Sequence, residues 1–121
     1  MKNLFFTLIA LFSFGSLFAQ NAVVKGDESV LSAQVEKGVI EIIMPGSTDA
    51  EKVKNSAEYY EDYFSLDYNA DTRVAKISMK DNTPDARRVI NRLLLSNGVR
   101  IIEFSGEEYS INKFYEKFLS R

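Results

Sequence analysis

Between Gly38 and Phe104 the hydrophobic period alternates between two and about 3.6 residues, and no other feature of the chain restricts its fold as tightly. Val39-Ile40-Glu41-Ile42-Ile43-Met44 is β-branched, mostly apolar and stopped by Pro45-Gly46, the pattern of a central strand with both faces at least partly covered. Thr48-Asp49-Ala50-Glu51 reads as a capping box, with Thr48 accepting from the Glu51 amide. Ala50, Val53, Ala57, Tyr60 and Phe64 then form one narrow helical stripe, while Glu51, Lys54, Glu58, Glu61 and Asp62 face water. Phe64, Leu66 and Tyr68 alternate with polar residues, Asn69-Ala70-Asp71-Thr72 supplies turn chemistry, and Arg73 to Met79 resumes the alternation, which makes a hairpin. Thr83 caps a second helix with Pro84 in its first turn, and Ala86, Val89, Ile90, Leu93 and Leu94 are its buried stripe. Asn97-Gly98 closes it, and Val99 to Phe104 is a last strand.

Strand, helix, strand, strand, helix, strand is the split βαβ order of the ferredoxin-like fold. The expectation is an α+β, ferredoxin-like βαββαβ two-layer sandwich: a four-stranded antiparallel sheet with both helices on one face. Ile40, Ile42, Met44, Ala75, Ile77 and Met79 then point at the helices, and Val39, Glu41, Ile43, Val74, Lys76 and Ser78 occupy the opposite face. That second face is mixed, neither core nor solvent surface, so a cover is expected. The tail 105–121 offers one: Ile111, Phe114, Tyr115, Phe118 and Leu119 make an amphipathic stripe capped by Ser110. Docking within the same chain is favoured over docking on a partner or a second copy, because a small domain needs the area.

Ahead of this core, Lys2 and Asn3 lead into an apolar stretch from Leu4 to Phe18, with small residues at Gly15, Ser16 and Ala19. Shorter than the ~20 residues that span a bilayer, residues 1–19 read as a secretory signal peptide cleaved after Ala19, with no membrane anchor afterwards. The protein is expected to be exported, periplasmic or secreted, in a bacterial envelope of Gram-negative type. Residues 20–37 form a leader, with little order expected over 20–28. Ser29 to Lys37 fits either a short helix from Asp27 to Gly38 or a strand through Leu31, Ala33 and Val35, and the strand is preferred.

Composition removes most chemistries. The 121 residues contain no cysteine and no histidine, which excludes thiol nucleophiles, imidazole bases, Ser-His-Asp triads and the usual zinc or copper ligand sets. Without disulfides, stability rests on packing. A net charge of −2, deepened by one when Lys2 leaves with the signal, gives no electrostatic reason to bind nucleic acid.

Three clusters deserve weighing. Asp67-Tyr68-Asn69-Ala70-Asp71 copies the opening of a calcium loop, but Thr72 replaces the required glycine and Ser78 the closing glutamate, so it reads as a polar hairpin turn. Arg87, Arg88, Arg92 and Arg100 are a candidate anion patch, against the simpler reading that they complement Glu58, Glu61 and Asp62 on the neighbouring helix. Tyr59, Tyr60, Tyr63 and Tyr68 could stack on a ligand, or pack at the core edge. An RNA-recognition domain needs stacking rings that Arg73 to Met79 lacks, and acylphosphatases need a glycine-rich arginine loop that Met44-Pro45-Gly46-Ser47 does not supply.

In its apolar first strand, Met-containing loop, helix stripe Val53, Ala57 and Tyr60, hairpin, and second helix ending in Asn97-Gly98-Val99, the chain resembles the heavy-metal-associated domain family. That family binds soft metals through Cys-x-x-Cys in the first loop, where this chain aligns Gly46 and Asp49. The resemblance therefore implies the fold without the metal site. The expectation is a non-catalytic exported interaction module with no cofactor, no metal site and no catalytic residues, contacting an unknown protein partner or itself through Val39, Glu41, Ile43, Lys76, Ile111, Phe114, Tyr115 and Phe118. Alternatives are an enzyme accessory or propeptide-like inhibitor, and a small-ligand-binding domain using Arg88, Arg92 and the tyrosines.

Overall fold

The computed structural model describes residues 21–121, and the signal segment read at 1–19 lies outside them. In chain order the elements are β1 (Ala22–Val24), α1 (Glu28–Lys37), β2 (Val39–Ile43), α2 (Ala50–Tyr59), β3 (Phe64–Asn69), β4 (Val74–Met79), α3 (Pro84–Ser96), β5 (Ile101–Phe104) and β6 (Glu107–Ser110). A last helix, α4, runs over Ile111–Phe114 and widens into a π-helical turn at Tyr115–Leu119. The fold is α+β, but the sheet has six strands in the order β3-β4-β2-β1-β5-β6, not four.

Two segments cause the difference. Ala22–Val24, expected to be largely unordered, is an interior strand: it runs antiparallel to β2 and parallel to β5, and so separates two strands the sequence order would place side by side. Ala22 and Val24 are buried, so three residues suffice to fill the slot, though they are too few to show a period. At the other end, Ser105 and Gly106 both take positive φ, and the two-residue turn they make folds Glu107–Ser110 back on β5 as an edge strand.

Ser29 to Lys37 is helical, against the preferred strand reading. Both ends explain it: the Asp27 carboxylate accepts from the Val30 amide at 3.0 Å, and Gly38 at φ 75° turns the last amides back onto the helix. In the next helix the cap is Asp49, whose Oδ1 accepts from the Glu51 amide, and not Thr48, whose hydroxyl is buried without a partner among the described residues. The later boundaries agree with the sequence: Thr83 caps α3 with Pro84 in its first turn, and Asn97-Gly98 ends it.

One pleat face of the sheet and all four helices enclose the core. Ile40, Ile42, Met44, Ala75 and Ile77 are buried as the alternation requires, beside Leu31 and Val35 of α1, Ile90, Leu93 and Leu94 of α3, and Phe114, Phe118 and Leu119 of α4. Met79 and Tyr60 pack at the margin of this cluster, and α2 adds the buried Val53. The tail docks at home, but on the helical face and not over the opposite one. Its anchor is aromatic: the Phe104 ring lies 5.7 Å from Phe114 and 5.0 Å from Phe118, and Tyr109 closes the group at 5.4 Å from Phe118. Asn69 Oδ1 accepts from the amides of Asp71 and Thr72, so Asp67 to Asp71 is a polar hairpin turn, tightened by Arg73 at φ 64°.

Candidate interaction face

Because α2, α3 and α4 pack on one side and α1 reaches only the margin, the other side of the sheet is left without a covering layer among the described residues. Its central rows follow from the strand register. Val39 stands opposite Ser78 and Ser65, Glu41 opposite Lys76 and then Asp67, and Ile43 opposite Val74 and Asn69. Across β1, Val23 continues the apolar row from Ile43 to Glu103. Val23, Val39, Ile43 and Val74 are half-buried by their own neighbours, and Glu41 and Lys76 are exposed between them. Of the eight residues expected to form an interaction surface, these four, Val39, Glu41, Ile43 and Lys76, are brought together.

The other four are not. Ile111, Phe114, Tyr115 and Phe118 are buried in the core, because the aromatic group around Phe104 takes up the apolar stripe of α4. They are corrected from surface to core.

Sequence reasoning missed the wall of this face. The start of β2 pairs with β4 on one side, but on the other the single contact of β1, at Val23 and Ile43, leaves it without a second strand, and α1 lies there instead. Gln34 Oε1 accepts from the Glu41 amide at 3.0 Å, so a side chain satisfies a donor that a longer strand would have used. Val30, Ala33 and Lys37 of α1 then border a groove of about 540 Å³ with Val39, Glu41 and Lys76. Val30 is 45% exposed, an apolar side chain at the rim. The signal that could have found this wall was present as Asp27 and Gly38, the two caps of a helix whose stripe is otherwise weak.

The arginine cluster divides. Arg87 is 2% exposed and donates to three oxygens inside the protein, so it is not part of a surface patch; burial pulls its guanidinium below the ordinary value, partly opposed by Tyr115. Arg88 and Arg92 border a cleft of about 480 Å³ with Tyr63, but Asp62, Asp81 and Asp85 share it, and Arg100 does not line it. Arg88 stacks on the Tyr115 ring, 5.0 Å from its centroid. The four arginines are therefore not gathered into one patch, and Asp62, one of the acidic residues expected to complement them, shares the cleft with Arg88 and Arg92 without a direct ion pair among the described residues. The tyrosines do not form a platform: Tyr59 is exposed and meets Tyr60 edge-on at 5.0 Å, while Tyr60 and Tyr68 pack at the core margin.

Among the described residues, no three acidic side chains converge as a metal site would require, and no helix is long and apolar enough to cross a membrane. Comparison with family models, curated proteins and solved structures finds no match for this chain.

Proposed function

We propose that the chain is a non-catalytic exported interaction module that contacts a protein partner through the open sheet face. The observation that carries this reading is the position of α4. The tail helix expected to cover the mixed face packs on the opposite side, leaving Val23, Val39, Ile43 and Val74 beside the charged row Glu41, Lys76 and Asp67. A mixed apolar and charged patch of this kind is what protein interfaces use for contact and for register. The lack of cysteine and histidine supports binding over catalysis.

In the same reading, the architecture is an enlarged ferredoxin-like βαββαβ core, with β1 inserted between the first and last core strands and β6 added at the edge. It would be a relative of the heavy-metal-associated domains without their thiolates, released into the envelope by the segment at 1–19. A propeptide-like inhibitor is less well supported, since such a role needs a free extended tail and α4 is packed into the core.

A photo-crosslinking residue placed at Val39 or Lys76 of the exported protein, compared with one at exposed Lys113 on the helical side, tests the reading. A discrete protein adduct from the first two positions and not from the third is expected. Adducts only from Lys113, or none from any position, would falsify it.

A further inference from the structure

The free edge of β3 and the outward side of α2 form a second surface, separate from the groove beside α1. β3 ends the sheet. The Lys80 amide donates to the Tyr63 carbonyl, so the hydrogen-bonded pairs with β4 recur at Ser65, Asp67 and Asn69. By the same alternation, the main-chain N–H and C=O of Leu66 and Tyr68 point outward, away from the sheet. Alongside that edge, Ala50, Lys54, Ala57 and Glu58 of α2 share a cleft of about 490 Å³ with Leu66 and Tyr68.

The sequence stripe assigns Ala50 and Ala57 to the core, yet both remain half-buried, and their small side chains leave the cleft open. Leu66 and Tyr68 are likewise half-buried, packed against the core on one side. Exposed edges are normally blunted by short length, proline or repeated charge. β3 has six residues, no proline and one charge, Asp67.

We propose that this edge accepts an extended peptide as a seventh strand, its apolar side chains entering the α2 cleft and alternating with basic side chains beside Asp67. Main-chain bonds to Leu66 and Tyr68 supply general affinity, and the alternate side-chain positions supply selection. Charge complementarity fixes the class of partner. Glu58 and Asp67 outnumber Lys54 at the cleft, and the whole chain carries a net −2. Within the sheet, Asp67 already stands opposite Lys76, so a lysine on an added strand takes the equivalent place on its other side.

The test is titration of the full exported chain with a short synthetic peptide alternating valine and lysine, read by amide hydrogen exchange and NMR shifts. Two further peptides serve as controls, one with proline at alternate positions and one with glutamate for lysine. The expected result is slowed exchange at Leu66 and Tyr68, with both control peptides weaker by about tenfold or more. Ala57→Trp, which fills the cleft, and Asp67→Lys, which reverses its charge, each weaken binding by about tenfold while circular dichroism stays native. No binding, equal binding of the proline peptide, or equal binding of the glutamate peptide overturns the proposal. So does protection of Leu66 and Tyr68 that grows with protein concentration in the absence of peptide, which assigns the edge to a second copy. Loss of crosslinking from Val39 and Lys76 leaves the protection of Leu66 and Tyr68 and the Ala57→Trp effect unchanged, because those residues do not line the groove beside α1; only Asp67 is shared with the open face.

Discussion

Arg87 holds Leu119 across 32 residues of chain: its Nε donates to the Leu119 carbonyl at 2.7 Å. The same guanidinium donates to Asn82 Oδ1 and to the Arg121 carbonyl, and Asn82 in turn donates to the Val35 carbonyl at 2.8 Å. One planar fork therefore ties the end of α1, the start of α3 and the end of α4 together. Arg87→Met keeps the apolar stem and removes every donor, and is expected to cost about 3 kcal/mol in urea unfolding, since hydrogen bonds to a charged group are worth ~1.5–3 kcal/mol each and their loss is offset in part by no longer burying a charge. Arg87→Lys should recover little, because an ammonium cannot reproduce the fork. Exchange at the α4 amides should rise first in both variants; unchanged α4 protection would show that Arg87 does not hold the tail.

At the start of α2, two neighbouring residues make opposite predictions. The Asp49 carboxylate accepts from the Glu51 amide at 3.0 Å, so Asp49→Ala should cost about 1 kcal/mol. Thr48 makes no such bond, and its hydroxyl is buried without a partner among the described residues. Thr48→Val should therefore be neutral or slightly stabilising in thermal unfolding. The reverse ranking would restore the capping box read from the sequence.

Tyr109 carries a pH dependence. Its hydroxyl donates to Glu107 Oε2 at 2.8 Å, and that bond, followed by desolvation and the negative charge of the same carboxylate, raises the phenol above its ordinary value. A group whose pKa is higher folded than unfolded adds stability below the unfolded value, and that contribution is lost as the pH rises through the folded value. The stability difference between the native chain and Tyr109→Phe should thus be constant at neutral pH and shrink in the alkaline range above the usual tyrosine titration. Ultraviolet titration should show Tyr109 ionising late, and Glu107→Gln should bring it back toward the ordinary tyrosine value. A titration that Glu107→Gln and Tyr109→Phe both leave unchanged in its late phase would remove the effect.

How far the sequence reveals the structure depends on how many residues carry each signal. The alternation of β2 and β4 and the stripe of α3 are long enough for period alone to place Ile40, Ile77 and Leu93 in the core. β1 is three residues long and β6 reads Glu-Glu-Tyr-Ser, so neither presents a period, and both are strands because neighbours offer them hydrogen-bonding edges. The apolar stripe of α4 was legible, but which face of the sheet it chose was not, since that is decided by Phe104 and Tyr109 from the β5–β6 hairpin. Half of the candidate surface therefore moved into the core, and α1, hidden in an ambiguous leader, took its place beside Val39.

The aromatic group that draws α4 onto the helical face should also be where the fold is most vulnerable. Phe118 is 5% exposed and lies within 5.0 to 5.4 Å of the rings of Phe104, Phe114 and Tyr109. Phe118→Ala removes three edge or tilted contacts and leaves a cavity, an expected cost of ~3–5 kcal/mol, a large part of a domain's whole stability. Ending the chain at Gly106 takes away Tyr109, Phe114 and Phe118 together and exposes Phe104 and Leu31 to water. That shorter chain should lose the far-ultraviolet signal of the whole domain and bind hydrophobic dyes, whereas a dispensable tail would subtract only the signal of α4. A cooperative, near-native melt of the chain ending at Gly106 would show that the core closes without α4, and would reopen the tail as a docking element.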